Sequence, residues 1–162
     1  MSDELLATLL ARVDPGTIYL PLWERAAKML WLAHRRGADF FAISGWRSYA
    51  QQDALYRQGR TAPGLRVTNA KAGESWHCFG LAVDFCRDAA TERRGLQPDW
   101  AAESYELLGQ CAREAGLEWG GDWEWPDRPH VQLAGLTPEA LRQVREAFEV
   151  HGLAAAQMVL QR

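Results

Sequence analysis

His77, Asp84 and His130 are the residues whose types and placing point to chemistry. The first two lie in Ser75-Trp76-His77-Cys78-Phe79-Gly80-Leu81-Ala82-Val83-Asp84-Phe85, with a glycine between them. The third lies in Gly120-Gly121-Asp122-Trp123-Glu124-Trp125-Pro126-Asp127-Arg128-Pro129-His130-Val131-Gln132-Leu133. A histidine, an aspartate and a distant histidine are the ligand types of one catalytic zinc, three protein groups with a fourth position left for water. Asp127 stands three residues before His130. Helical geometry cannot pair the two, because Pro129 drives Arg128 toward extended backbone. A tight turn can, and it would leave Asp127 beside the metal as a proton acceptor. Asp122 and Glu124 are rivals for that role.

Two short strands must carry these groups. Leu81, Val83 and Phe85 alternate with Ala82 and Asp84, the period of a half-buried strand, so Asp84 projects opposite the three large apolar side chains. His77 is an odd number of residues away and on one unbroken strand would face the wrong side. Gly80 is where the chain can bend and bring both to one point. Val131 and Leu133 alternate with His130 and Gln132 in a second strand, entered through the Pro-broken turn.

Helices are expected around this pair. Ser2 can cap a first helix with Leu5, Leu6, Leu9, Leu10 and Val13 on one face, ended by Asp14-Pro15-Gly16. A second runs from near Pro21 to Gly37, followed by a strand over Phe40–Ile43. Ser48 can cap a short helix to Gln58, and Val67–Asn69 reads as a short strand. Asp88–Pro98 reads as a charged connection, Trp100–Ala115 as a long helix, and Thr137-Pro138 as the opening of the last helix, ended by Gly152. The pattern predicts an α+β fold: a small, mainly antiparallel sheet with helices packed on one face and the zinc site on the other.

Composition narrows the function classes. With 48% apolar and 24% charged residues, the 162-residue chain reads as an ordinary globular protein able to bury a core. A net charge of -3 argues against nucleic acid as partner. The eight tryptophans read as core fillers before sugar-stacking surfaces. Cys78, Cys86 and Cys111 form an odd set without metal-site spacing, so reduced thiols are expected. Met1–Val13 contains Asp3 and Glu4 and lacks a basic start, and no apolar run reaches membrane-spanning length. Synthesis in a cytoplasm without an export signal or membrane insertion is the expectation.

Ser-x-His-x-x-Gly-x-Ala-x-Asp followed by Asp-x-Pro-His resembles the zinc peptidases that cut peptidoglycan peptides, the D-alanyl-D-alanine carboxypeptidase family. Val67–Ser75, Ser44-Gly45-Trp46-Arg47-Ser48 and Gln52–Arg60 look most like its L-alanyl-D-glutamate endopeptidases, many of them phage endolysins. The resemblance spans about residues 40–133 of a single peptidase domain over 1–162; the roughly thirty residues after it are too short for a wall-binding domain. It implies hydrolysis of the L-Ala–D-Glu bond, with peptidoglycan as substrate, a holin opening the membrane for access, and a monomer. It favours Asp127 as general base by its spacing to His130, and implies that Arg47 contacts substrate. Gln52 could then orient Arg47, and Ser75 could hydrogen-bond substrate. Two alternatives stand beside this: a D-alanyl-D-alanine carboxypeptidase or dipeptidase, and a zinc-containing binding or signalling domain without catalysis.

Overall fold

The computed structural model describes residues 1–90 and 95–161. Helix α1 (Asp3–Leu10) is capped by the Ser2 hydroxyl, which accepts from the Leu5 N–H. Helix α2 (Leu20–Arg35) buries Leu22, Ala26, Met29, Leu30 and Ala33, and the chain turns at Gly37 into β1 (Asp39–Ser44). Helix α3 (Tyr49–Arg57) opens with a capping box, in which Ser48 and Gln51 each bond the other's backbone N–H. Strands β2 (Ala82–Asp88) and β3 (Pro98–Asp99) follow, then α4 (Glu106–Glu114), β4 (Leu117–Trp119), β5 (His130–Leu133), α5 (Pro138–His151) and α6 (Leu153–Met158).

All strand pairs are antiparallel, in the order β1-β2-β5-β4, with β3 alongside the far end of β2. Helices α1 and α2 pack on β1, α2 and α4 on each other, and Val83, Phe85 and Val131 meet them in one continuous core. The α+β architecture expected from the pattern is therefore the one observed.

Four local expectations change. Strand β2 is buried on both faces through Cys86, not half-buried. Asp84 is covered by two histidines and an arginine, and the Cys86 thiol reaches the Asp99 carbonyl. Val67–Asn69 forms no strand. The helix expected from Trp100 begins as a one-turn 3₁₀ segment, Ala102–Tyr105. There Asp99 accepts from the Ala101 N–H and the Ser104 hydroxyl, local bonds that compete with the α-helical ladder. After Gly152 the chain continues into α6, an element absent from the sequence reading. The expected Asp88–Pro98 connection lies partly outside the described residues.

Candidate metal centre and active-site cleft

Asp84 and His130 are direct cross-strand partners, and so are Ala82 and Gln132. In an antiparallel pair, opposed residues share a face, so the pairing alone sets Asp84 and His130 side by side. His77 arrives from outside the sheet. It sits in a one-turn 3₁₀ helix, Trp76–Phe79, closed by Gly80 in the left-handed conformation at φ 69°. A Cβ on Gly80 would lie 2.0 Å from the Thr17 carbonyl oxygen, so both conformation and space require glycine there. Behind this turn Phe79 packs on Phe148 of α5, and Gln157 of α6 donates to the Phe79 and Thr17 carbonyls. The C-terminal helices thus hold the turn that presents His77.

The three side chains meet as a triangle. His77 Nε2 lies 3.1 Å from Asp84 Oδ1 and 3.2 Å from His130 Nδ1, and His130 Nδ1 lies 3.2 Å from Asp84 Oδ1. The outer bonds decide which ring atoms face inward. His77 Nδ1 is 2.7 Å from the Gly45 carbonyl, which can only accept, so that nitrogen carries the proton. His130 Nε2 is 3.0 Å from Gln132 Oε1 and donates likewise. In the neutral rings Nε2 of His77 and Nδ1 of His130 are then bare lone pairs, converging on a carboxylate oxygen. Three acceptors at such distances call for a cation among them, either a proton or a metal ion. Ligands of a tetrahedral zinc at about 2.0–2.1 Å stand about 3.3–3.4 Å apart, close to the observed triangle.

Electrostatics favour the same states at His77 and Asp84, but not at His130. Burial lowers the His77 pKa, against the opposing pull of Asp84, and keeps its ring neutral. Burial works against ionisation of Asp84, but the two histidines outweigh it and hold the carboxyl well below its ordinary range. Burial also opposes charge on His130, yet Asp84, Gln132 and Asp127 together raise its pKa. A metal entering the site must therefore displace a proton chiefly from His130.

The triangle forms the floor of a cleft of about 1100 Å³. One bank is the loop Arg66–Ala70 with Glu74–Trp76, the other the Trp123–Pro129 loop. Arg47 also lines it; its guanidinium pairs with Asp84 Oδ2, while its Nε donates to Ser44 Oγ at 2.9 Å. Asp127 lines the second bank, and the His130 N–H bonds its carbonyl at 3.1 Å, the tight turn expected from the spacing. Gly120 makes room for it: a Cβ there would stand 2.5 Å from the Asp127 carbonyl oxygen. Asp127 keeps solvent contact, yet desolvation inside the cleft, then the Asp84 charge, raise its carboxyl pKa. The rival acceptors are placed elsewhere. Asp122 is paired with Arg113 at 2.6 Å, and neither it nor Glu124 lines the cleft.

The sequence profile of a family described as D-alanyl-D-alanine carboxypeptidase matches residues 68–133, the stretch holding His77, Asp84, Asp127 and His130. Over 130 residues the chain is 37% identical to the peptidoglycan L-alanyl-D-glutamate endopeptidase CwlK of Bacillus subtilis (strain 168), covering 74% of this chain and 75% of that one. The chain belongs to the M15 family of metallopeptidases. Two solved structures share the fold. The vancomycin-resistance D,D-pentapeptidase VanY, in complex with Zn(II), has a TM-score of 0.54 and 18% identity, over 83% of this chain and 82% of that one. The LD-carboxypeptidase LdcB has a TM-score of 0.54 and 20% identity, over 80% and 64%.

In this M15 peptidase Gln52 does not do what the sequence reading expected. Its amide donates to the Ala70 carbonyl at 2.8 Å and to Thr68 Oγ1 at 3.4 Å, not to Arg47. It is fully buried, and its amide nitrogen is committed to the loop of the first bank. Arg60 and Asp53 act on the same loop, Arg60 through the Thr68 carbonyl and Asn69 Oδ1, Asp53 through the Ala72 N–H. Ser75 lines the cleft. Gln132 was missed as a site residue. Its signal was present, since it lies two positions after His130 on the same strand face.

Proposed function

We propose that this metallopeptidase is a zinc-dependent endopeptidase that hydrolyses the L-Ala–D-Glu bond of peptidoglycan stem peptides. His77, Asp84 and His130 are the ligands, Asp127 the general base and Arg47 a substrate contact. The observation that carries the reading is the convergence of two imidazole nitrogens and a carboxylate oxygen on the cleft floor. The identity with CwlK supports the choice of bond, and the Zn(II) complex of VanY supports the choice of ion.

When bound, zinc supplies Lewis acidity that polarises the amide carbonyl and makes an attacking water more acidic. Asp127 takes the proton from that water and delivers it to the leaving amine. Its raised proton affinity suits the task, because a carboxylate of ordinary pKa is a weaker base at neutral pH. Gly45 and Gln132 hold the two imidazoles in the tautomers that leave the inner nitrogens free. Arg47 spends part of its five-donor fork on Ser44 and Asp84 and lines the cleft with the rest. In an L-Ala–D-Glu linkage the glutamate continues through its side chain, so its α-carboxylate is free beside the scissile amide, where a planar guanidinium matches it.

End-group analysis of digested peptidoglycan tests this. A new amino-terminal D-glutamate with intact glycan strands is expected; D-alanine release without it would move the enzyme to D-alanyl-D-alanine hydrolysis. A lytic setting is part of the proposal, supported by the likeness of Ser44–Asp84 to phage endolysins: the enzyme is made in the cytoplasm and reaches the wall through a holin-opened membrane. Lysis of expressing cells only after permeabilisation is the expected result, and prompt lysis without it would refute this setting.

A further inference from the structure

Trp100 and Trp125 line the cleft, yet 57% and 82% of their surfaces remain exposed. Trp119 behaves as a core tryptophan should, at 3% exposure. Trp123, between them in the chain, is anchored: its Nε1–H donates to Glu118 Oε1 at 2.7 Å, and its ring lies 5.0 Å from that of His130. Trp125 follows two residues later on the same bank. Trp100 approaches that bank from the β3 end, and a side pocket of about 250 Å³ lies between Trp100, Tyr105, Pro126 and Arg128. The result is a pair of indoles beside the metal centre, both open to solvent.

We infer that Trp100 and Trp125 form a sugar-binding platform, which receives the muramyl residue carrying the stem peptide. The inference rests on the L-Ala–D-Glu reading. In that substrate L-alanine is the first residue, joined to muramic acid through its lactyl group, and the bond cut is at its carbonyl. One extended residue spans only about 3.6 Å, so the sugar must sit next to the catalytic centre. Its side is set by the other half of the substrate. Arg47, which takes the D-glutamate carboxylate in that reading, follows β1 at one end of the sheet order, whereas the Trp125 loop joins β4 to β5 at the other and meets Trp100, which follows β3, across the side pocket. L-alanine and its sugar are thereby directed toward the indoles. A pyranose offers an apolar C–H face with polar groups at its edge, and an indole offers a large rigid apolar face at little entropic cost. Arg128, which lines the side pocket beside Trp100, supplies a polar partner for that edge.

The test compares a reducing disaccharide–tripeptide with the same tripeptide acetylated at its amino end. The wild-type enzyme should prefer the sugar-bearing substrate in kcat/KM by on the order of 10-fold, the size of losing one buried aromatic contact. Trp125→Ala and Trp100→Ala should each erode that ratio, and Trp125→Phe should retain part of it. Equal rates on both substrates, or variants that keep the full preference, would overturn the platform. Product analysis of the same digests separates the two failures. Cleavage elsewhere in the stem overturns the bond assignment on which the inference rests, whereas a new D-glutamate amino end without any sugar preference overturns the platform alone.

Discussion

His77, Asp84 and His130 on the cleft floor are exposed by only 2, 9 and 6%, while Trp125 at the lip is exposed by 82%. On the floor every polar atom that faces away from the centre has a partner: Gly45 for one imidazole, Gln132 for the other, and Arg47 for the second carboxylate oxygen. What faces the centre is two imidazole nitrogens and a carboxylate oxygen, with His130 the ring whose proton a metal would displace. The lip carries the large exposed apolar surfaces of Trp100 and Trp125. A buried, fully braced floor is suited to groups whose geometry must not change during a reaction. An open lip is suited to a substrate that must arrive and leave. Changes to the floor and to Asp127 beside it should therefore act on metal or turnover, and changes at the lip or outside the cleft on substrate choice or stability alone.

The sharpest way to break this contrast is at a ligand. His77→Ala should abolish both zinc binding and hydrolysis, because it removes one of three protein donors. Elemental analysis of the purified variant checks it, and a full complement of zinc would sink the ligand assignment. Next comes Asp127→Asn, which should keep zinc and fold while losing on the order of 100-fold or more in kcat. Near-normal turnover there would remove Asp127 from the proton path. Gln132→Ala should weaken zinc affinity or activity by roughly 10–100-fold, since the His130 Nε2–H loses the acceptor that sets its tautomer. Chelator competition measures this, and an unchanged affinity would mean that the brace is dispensable.

The floor should also respond to pH with a definite sign. The His130 pKa lies above its ordinary 6.5 in the metal-free protein, so zinc and a proton compete for the ring. Apparent zinc affinity should fall as pH drops through that raised value, by about tenfold per unit for one displaced proton. Above it, affinity should level off. The smallest effect is expected at Asp122, outside the cleft. Asp122→Asn breaks a half-exposed pair with Arg113 and should cost at most about 1 kcal/mol in a denaturant titration. It should leave turnover intact; a large loss of activity would make Asp122 a rival to Asp127 after all.

Local chemistry explains what was legible in the chain. The strands around Asp84 and His130, the Ser48 cap, the Pro129 turn and the glycine at position 80 rest on signals a few residues long, and each appears where the pattern placed it, although β2 is buried on both faces. The Trp100 helix and the Val67–Asn69 strand were misjudged for a related reason. Local propensity lost there to side-chain bonds from Asp99 in one case, and from Gln52 and Arg60 in the other.

The sequence by itself determined the identities of the candidate ligands and the α+β pattern, because residue type and periodicity are properties of short segments. Only the tertiary structure decided how they meet. The β2–β5 register puts Asp84 opposite His130, and the packing of α5 and α6 against the Trp76–Phe79 turn points His77 at the same spot. Tertiary contacts also decided that Gln52 braces a loop, that Gln132 braces a ligand, and that Trp31, Trp100 and Trp125 stay exposed instead of filling the core. Such outcomes depend on contacts between residues tens of positions apart, whose pairing is chosen by packing of the whole core and not by any pattern local to either partner.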